Sequence, residues 1–392
     1  MRVLVTGGAG FIGRHFVLRL LAEGHDVLAY DALVPQVHGE GAGWPADLAA
    51  ISAETPERLR LWQSDVRDVG EMRRALASFQ PEAIVHLAAF VGVGQAEMQI
   101  AAYESVNVGG TAVTVQEAIR FDRVLCPGTL LRFVIAGSMS IYGEAEDLDD
   151  FIDEGAGFNQ SNEYAPGVYA WTKQQQEQLL LRTARNLPTT DCVSLRFFNV
   201  YGDGQSLSNP YTGVAAIFAT RLANGEAPII YGDGTQARSF IHVSDVVDAV
   251  YRATIHPPAH DEAPGLTACN DRKWFGPDGE SFITVLDVGH PKHLTINDVA
   301  EILRAELAPN LPPIQPSGLE RVGDIHTCFA SAHSVRMTGE ILGDWKPKVD
   351  PAEGLAAYGR WVASQAVPPS LQEQAHAELV SAGLVSAPPG EV

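Results

Sequence analysis

The chain of 392 residues carries 27 basic and 48 acidic side chains, a formal net charge of −21. This balance argues against binding to nucleic acid, which requires clustered Lys and Arg. The four cysteines include no CxxC pair, and no apolar run reaches the roughly 18 residues of a membrane span, so we expect a soluble cytoplasmic protein that binds neither metal nor membrane.

Short apolar runs alternate with helical patterns over the first 200 residues. Strands are predicted at 2–6 (RVLVT), 26–31 (DVLAYD), 58–66 (RLRLWQSDV), 83–89 (AIVHLAA), 132–138 (RFVIAGS) and 192–202 (CVSLRFFNVYG). Because these strands are apolar almost throughout and are separated by helices, the pattern is typical of a parallel sheet covered on both faces. We therefore predict an α/β fold with a Rossmann-type, doubly wound parallel sheet.

The pattern loosens beyond residue 200. Helices are predicted at 213–225, 244–255 and 295–307, the last with Thr295 as its N-cap, and a strand is predicted in PIIYGDG (228–234). The Pro- and Gly-rich stretch 256–281 predicts a loop. These features divide the chain into a dinucleotide-binding domain (1–200, with later segments returning to it), a smaller, mainly substrate-binding α/β domain (201–365) and a loosely attached tail (366–392).

A glycine-rich loop joins the first strand to the first helix. The run VLVTGGAGFIG places Gly7, Gly10 and Gly13 at this junction, with Phe11 and Ile12 between them. Glycines give a tight turn and let a diphosphate approach the backbone amides at the positive end of a helix. Asp31 stands 18 residues after Gly13, at the end of the second strand, where a carboxylate binds the adenosine ribose and repels a 2′-phosphate. The sequence therefore predicts NAD as the cofactor.

The segment YAWTK places Tyr169 and Lys173 four residues apart, on one face of a predicted helix. A phenol, with a pKa of about 10 in solution, is a poor base at neutral pH. A nearby ammonium group favours the phenolate, and the lysine can also hold the nicotinamide ribose. We interpret Tyr169 and Lys173 as catalytic and cofactor-binding residues.

The sequence resembles the extended short-chain dehydrogenase/reductases over roughly residues 1–365, specifically the nucleotide-sugar epimerases and dehydratases. Within this family it looks most similar to bacterial 4-epimerases of dTDP- or UDP-sugars, including dTDP-rhamnose 4-epimerase-like proteins. Besides TGGAGFIG and YAWTK, the resemblance is carried by SDV (64–66), HLAA (86–89), VNVGGT (106–111), RFFNVYG (196–202), GDGTQARSFIHVSDVV (232–247) and RVGDI (321–325).

The resemblance implies a role for each of several further residues. The cofactor site would include Asp65 and Val66 beside the adenine, Leu87, Ala88 and Ala89 along the cofactor, and Asn107 as a support of the site's geometry. The nucleotide-diphosphate sugar would be held by Asn199, Arg238, Arg321 and Asp324. Arg-His often follows GDI in the family, whereas His326 and Thr327 follow it here, so that position is left unassigned. The helical stretches 97–120 and 164–186 resemble the pair that forms a homodimer interface in the family.

The segment GSMSIYG (137–143) distinguishes between reactions of this family. By the resemblance, Ser138 hydrogen-bonds the reacting sugar oxygen and shares a proton with Tyr169, and Ser140 belongs to the substrate pocket. Related 4,6-dehydratases carry an Asp-Glu pair where Met139 and Ser140 stand here, because removal of water requires a further acid and base. We therefore predict a C4 epimerase. Decarboxylation, dehydration or reduction through the same 4-keto chemistry, and a non-catalytic dinucleotide sensor, remain as alternatives.

Overall fold

The large sheet forms the centre of the molecule. The computed structural model describes residues 1–39, 41–144, 165–211, 213–256, 273–274 and 282–386. The strands are β1 (Arg2–Thr6), β2 (Asp26–Asp31), β3 (Leu59–Gln63), β4 (Ala83–His86), β5 (Arg132–Ser138), β6 (Asp191–Phe197), β9 (Lys273–Trp274) and β10 (Phe282–Val288). Their order is β3-β2-β1-β4-β5-β6-β10-β9, with seven parallel strands and an antiparallel β9 at one edge. This sheet confirms the predicted Rossmann-type fold.

Helices cover both faces of this sheet. One face carries α1 (Phe11–Ala22), α3 (Ala46–Glu54), α10 (Val243–Ile255) and α12 (Ala332–Ile341), and the other carries α4 (Val69–Phe79), α7 (Gly110–Arg120) and α8 (Gly167–Thr183). Successive side chains of a strand point to opposite faces of the sheet, so each strand contributes to both apolar cores. In β1, Val3 and Val5 pack on the first face and Leu4 on the second. The short helix α2 (Pro35–His38) follows β2.

The segment between β4 and α7 is less regular than the long helix predicted at 97–120. It forms α5 (Val93–Met98), α6 (Ile100–Tyr103) and a π-helical stretch, Glu104–Gly109, that leads into α7. A second π-helical turn, Phe121–Leu125, ends α7. The 3-10 turns Met139–Tyr142 and Ala184–Asn186 follow β5 and α8.

A second, smaller sheet lies in the part of the chain after residue 198. Its strands are β7 (Asn199–Tyr201), β8 (Ala237–His242), β11 (His293–Thr295) and β13 (Thr327–Cys328), with β8 paired to the other three. Helices α9 (Val214–Ala223), α11 (Ile296–Leu307) and α13 (Pro351–Ala363) pack around a separate apolar core. Thr295 caps α11 as predicted, in a reciprocal capping box with Asp298.

Two expectations about local structure are wrong. PIIYGDG (228–234) forms no strand, because its backbone lies outside the sheet ladders. The expected loose tail contains helix α14 (Gln372–Ser381) and strand β14 (Val385–Ser386), and β14 pairs with β12 (Glu320–Arg321). Ala375 and Leu379 are buried, because α14 packs onto the body of the protein.

Domain boundaries were expected near residues 200 and 365. Segment 282–288 lies in the sequence range assigned mainly to substrate binding, but it pairs along its length with β6 in the large sheet. The predicted loop at 256–281 lies outside the described residues, apart from 256 and the short strand 273–274. In the part of the chain that the structure describes, no helix combines the length and apolar character required to cross a membrane.

Candidate active site

A cavity of about 630 Å³ extends from the carboxyl ends of the central strands into the smaller α/β part. Most of the residues predicted for cofactor and substrate lie on its walls: Gly7, Gly10, Phe11, Ile12, Gly13, Asp31, Asp65, Val66, Leu87, Ala88, Ala89, Ser138, Ser140, Tyr169, Lys173, Asn199, Arg238, Arg321 and Asp324. The fold thus brings together residues more than 300 positions apart in the sequence, in the crevice where open parallel sheets bind ligands.

The glycine loop is closely packed between β1 and α1. Gly7 has a φ of +69°, and a Cβ there would lie 2.9 Å from the backbone nitrogen of Ala88. A Cβ at Gly13 would overlap the carbonyl oxygen of Gly7. Gly10 caps α1 without a side-chain hydrogen bond, so the first amides of the helix are available to an anion in the cavity. The loop therefore fits a dinucleotide diphosphate.

Asp31 ends β2 beside this loop. Its carboxylate accepts hydrogen bonds from the backbone nitrogens of Ala9 (3.0 Å) and Leu33 (2.8 Å), and Nε2 of His38 lies 3.4 Å from its Oδ1. These bonds fix the carboxylate at the edge of the cavity and leave lone pairs for ribose hydroxyls. The residues present therefore fit NAD.

Of the other residues predicted for the cofactor, Asp65 lines the cavity, whereas Asn107 lies behind its wall. Asp65 is paired with Arg67 at 2.6 Å, and the hydrogen bonds from Arg67 hold the pKa of this carboxyl below its usual value. Asn107 is fully buried and does not line the cavity. Its amide binds the backbone of Phe90 (2.7 and 3.1 Å) and the hydroxyl of Thr172 (3.0 Å). Asn107 therefore lies behind the cavity wall, where it ties the loop after β4 to α8.

Ser138 and Tyr169 meet inside the cavity. Ser138, the last residue of β5, contacts the hydroxyl of Ser140 at 2.9 Å and caps the following 3-10 turn. Burial raises the pKa of Tyr169, and a side-chain hydrogen bond with Ser138 lowers it in part. The ring of Tyr169 packs edge-on against Tyr103, with 6.5 Å between the centroids. The phenol is thus held in one orientation beside a hydroxyl that can share its proton.

Lys173 lies one turn after Tyr169 on α8 and is only 3% exposed. Burial lowers the pKa of its ammonium group to about 7, and the carboxylate of Glu177 opposes this shift. Glu177 is buried and binds Arg196 through two hydrogen bonds of 2.6 and 3.0 Å, and it accepts a third from Ser194 at 2.7 Å. The charge of Lys173 therefore depends on a buried anion that sequence reasoning did not identify.

This buried network extends to β10. Arg196 donates to the hydroxyl of Tyr142 at 2.8 Å, and that hydroxyl donates to Asp287 at 2.6 Å. The guanidinium carbon of Arg196 also lies 4.9 Å from the centroid of the Tyr142 ring. Burial raises the pKa values of Tyr142 and Asp287. Charges on α8, β6 and β10 thus compensate one another behind the cavity wall.

The residues predicted to hold the nucleotide-diphosphate sugar all come from the chain after residue 198, and they line the same cavity as Ser138. Arg238 is buried, donates to the carbonyl oxygens of Ala237 and His326 (both 2.9 Å) and also contacts that of Ile325. Asp324 lies 3.5 Å from Arg238 and 3.3 Å from Arg321, so it stands between the two guanidinium groups. Asn199 donates to the carbonyl oxygen of Ser239 at 3.2 Å. This arrangement presents two cations and one anion to the cavity.

Sequence reasoning missed several lining residues. Phe90, Tyr211, Tyr231, Gln372 and His376 all contribute to the cavity wall. Phe90 carried a local signal, because it directly follows Leu87, Ala88 and Ala89 after β4. The other four reach the cavity through long-range packing. Among the described residues, no group of three or more His, Cys, Asp or Glu side chains is arranged to hold a metal ion.

The parallel sheet, with its glycine loop and terminal Asp31 on the cavity that contains Tyr169, places the protein among the NAD-binding enzymes of Rossmann type. The chain belongs to the NAD dependent epimerase/dehydratase family, whose family model matches residues 3–263.

Named relatives extend the likeness to almost the whole chain. It is 30% identical to a dTDP-L-rhamnose 4-epimerase of Burkholderia thailandensis, over 93% of this chain and 95% of that protein. It is 32% identical to a UDP-glucose 4-epimerase of Mycolicibacterium smegmatis, over 91% and 96% respectively. The crystal structure of a Thermus thermophilus UDP-glucose 4-epimerase in complex with NAD matches with a TM-score of 0.70 and 26% identity, over 94% of this chain and 100% of that chain. The protein is thus an enzyme of NAD-dependent sugar-nucleotide chemistry.

Proposed function

We propose that the protein is an isomerase that inverts C4 of a nucleotide-diphosphate sugar. The proposal rests on the placement of Ser138, Tyr169 and buried Lys173 in one cavity, together with the glycine loop and the two arginines. The 4-epimerases among the relatives support the same reaction.

In this reaction Tyr169 takes the proton from the C4 hydroxyl of the sugar, and Ser138, which lines the same cavity, shares it. Lys173, in its ammonium form, stabilises the phenolate that carries out this step. The glycine loop and Asp31 would hold NAD, which would supply the hydride-transfer chemistry at C4. Arg238 and Arg321 hold the diphosphate while the 4-keto sugar turns over, because guanidinium groups suit phosphate oxygens. Tyr169 then returns the proton to the opposite epimer.

The carboxylates on the wall favour this reaction over dehydration. Among the described lining residues they are Asp31, Asp65 and Asp324. Asp31 binds the glycine loop, Asp65 pairs with Arg67, and Asp324 lies between the two arginines. Each is thus engaged by other partners, whereas removal of water from the sugar needs an acid and a base that are available to it.

The test is to incubate the purified protein with UDP-, dTDP- and GDP-hexoses without added cofactor and to record proton NMR spectra of the sugars. A product of unchanged mass with inverted coupling at C4, and no net NADH, is expected. Loss of water or carbon dioxide would replace epimerisation by dehydration or decarboxylation. No turnover of any sugar would contradict the proposal and favour the reductase or sensor alternatives.

We also propose that two chains associate through the surface formed by α5–α7 and α8. Ile100 is 54% exposed and Trp171 is 39% exposed, although both are large apolar residues. Exposed apolar side chains of this size favour burial in an interface. Analytical ultracentrifugation should give a dimer, and a Trp171→Glu variant should be monomeric; a monomeric wild-type protein would contradict this arrangement.

A further inference from the structure

One side of helix α14 lines the cavity. Gln372, Ala375, His376 and Leu379 line the cavity, and their spacing of i, i+3, i+4 and i+7 places them on a single side of the helix. Glu373, Gln374 and Ala377 on the other side are exposed. The part of the chain expected to be a loose tail is therefore a wall of the cavity.

Polar contacts fix this helix in place. The side-chain amide of Gln372 forms two hydrogen bonds with the backbone of Ile229, accepting from its nitrogen and donating to its oxygen, both at 3.1 Å. Glu373 pairs with Arg221 at 2.7 Å, and Glu378 accepts a hydrogen bond from Tyr211. Because Gln372 is buried, the loss of its two bonds would release the start of the helix.

Beside α14, the aromatic ring of Tyr231 contacts both Arg321 and His376. The ring of Tyr231 lies beneath the guanidinium group of Arg321, with 5.3 Å from its central carbon to the ring centroid. Nδ1 of His376 lies 2.9 Å from the Tyr231 hydroxyl, and the two rings are 5.8 Å apart at 34°. Arg321 is itself paired with Val385 of β14, so the tail positions both neighbours of the tyrosine ring.

Flat aromatic and guanidinium surfaces beside two arginines suit a particular ligand. A nucleoside diphosphate combines a planar base, which stacks on such surfaces, with a diphosphate, which pairs with Arg238 and Arg321. With Nδ1 of His376 at the tyrosine hydroxyl, Nε2 is the ring nitrogen that a ligand can use.

We propose that α14 forms the nucleoside wall of the substrate site, with His376 as a ligand-contacting residue and Gln372 as the residue that positions the helix. This inference rests on the proposed function, because it assigns the nucleotide of that substrate to this part of the cavity. The C-terminal segment would thereby determine nucleotide affinity without taking part in the chemistry at C4.

The experiment measures binding of UDP and dTDP to the NAD-containing protein by calorimetry, so that it does not depend on turnover. His376→Ala should raise the Kd of the preferred nucleotide about tenfold, because one hydrogen bond to the ligand is lost, and Gln372→Ala should raise it by a similar factor, because loss of its two bonds to Ile229 releases the helix. Gln374→Ala, on the exposed side of the same helix, is the matched control and should change Kd less than about twofold. The NAD content per chain should stay the same in all three.

Each outcome decides the matter. Unchanged Kd in both test variants, or no binding of either nucleotide to the wild-type protein, would overturn the role of α14. Should Gln372→Ala lose NAD or fail to fold, the half-buried His376 carries the test alone, because its replacement leaves the Gln372–Ile229 bonds intact. Normal binding with the expected losses but no epimerisation would reject the proposed reaction and keep this inference.

Discussion

Replacing Glu177 by glutamine isolates the effect of the buried anion on catalysis. The substitution keeps the shape of the side chain but removes its charge. The Glu177 side chain is 2% exposed, binds Arg196 and lies one helical turn from Lys173. For neighbours about 6 Å apart at an effective dielectric constant of about 20, two unit charges interact by about 2.8 kcal/mol, or about two pKa units. We expect the pKa of Lys173 to fall by about one unit or more, since its surroundings relax.

The sign of the kinetic effect follows from the role of the ammonium group. If charged Lys173 stabilises the phenolate of Tyr169, kcat falls as the pH rises through the lysine pKa. Glu177→Gln lowers that pKa, so the alkaline limb of the pH–rate profile should move to lower pH by about one unit. Breaking the buried ion pair should also lower the free energy of unfolding by about 3–5 kcal/mol.

The assay is kcat against pH for the sugar nucleotide that the NMR panel identifies, together with urea unfolding at one pH. Glu117→Gln is the control, because Glu117 is also a buried carboxylate bound by an arginine, Arg73, at 2.9 and 3.1 Å, but on α7 outside the cavity. It should lose stability, by a smaller amount because Arg73 stays partly in water, without moving the pH profile. Equal profiles for Glu177→Gln and Glu117→Gln would refute the reasoning.

Three further substitutions test the proposed roles in the cavity. Tyr169→Phe should retain NAD but reduce turnover about a hundredfold or more, because the proton acceptor is gone; near-normal kcat would remove Tyr169 from the chemistry. Asp31→Ala should improve NADP binding relative to NAD, measured as a ratio of Kd values, since the carboxylate no longer repels a 2′-phosphate; an unchanged ratio would exclude contact with the ribose. Arg238→Ala should raise the Kd of the sugar nucleotide about tenfold or more at constant NAD content, and unchanged affinity would place the diphosphate elsewhere.

Much of the candidate cofactor site, as a set of residues that line one cavity, could be predicted because its signals are local. The glycine motif occupies seven consecutive positions, 7–13, which run from the end of β1 into the first turn of α1, and Asp31 follows at the end of the next strand. Tyr169 and Lys173 share a face because four residues make about one turn of helix. Such short-range geometry is fixed by backbone stereochemistry, so spacing in the sequence translates directly into placement.

The part of the cavity wall formed by α14 and the buried charges were decided only by tertiary packing. Glu177, Arg196, Tyr142 and Asp287 come from four separate elements, and each alone reads as an ordinary polar side chain. The segment from residue 366 is rich in Ala, Pro and Ser, which gave no sign of a packed helix, and its role depends on contacts with Ile229 and Tyr231 some 145 residues earlier. The sequence by itself determined the Rossmann sheet and the glycine loop and Asp31 at its edge, because neighbouring residues encode both. Which distant segments complete the cavity was left to the tertiary structure, because burial and charge compensation depend on the whole fold rather than on local spacing.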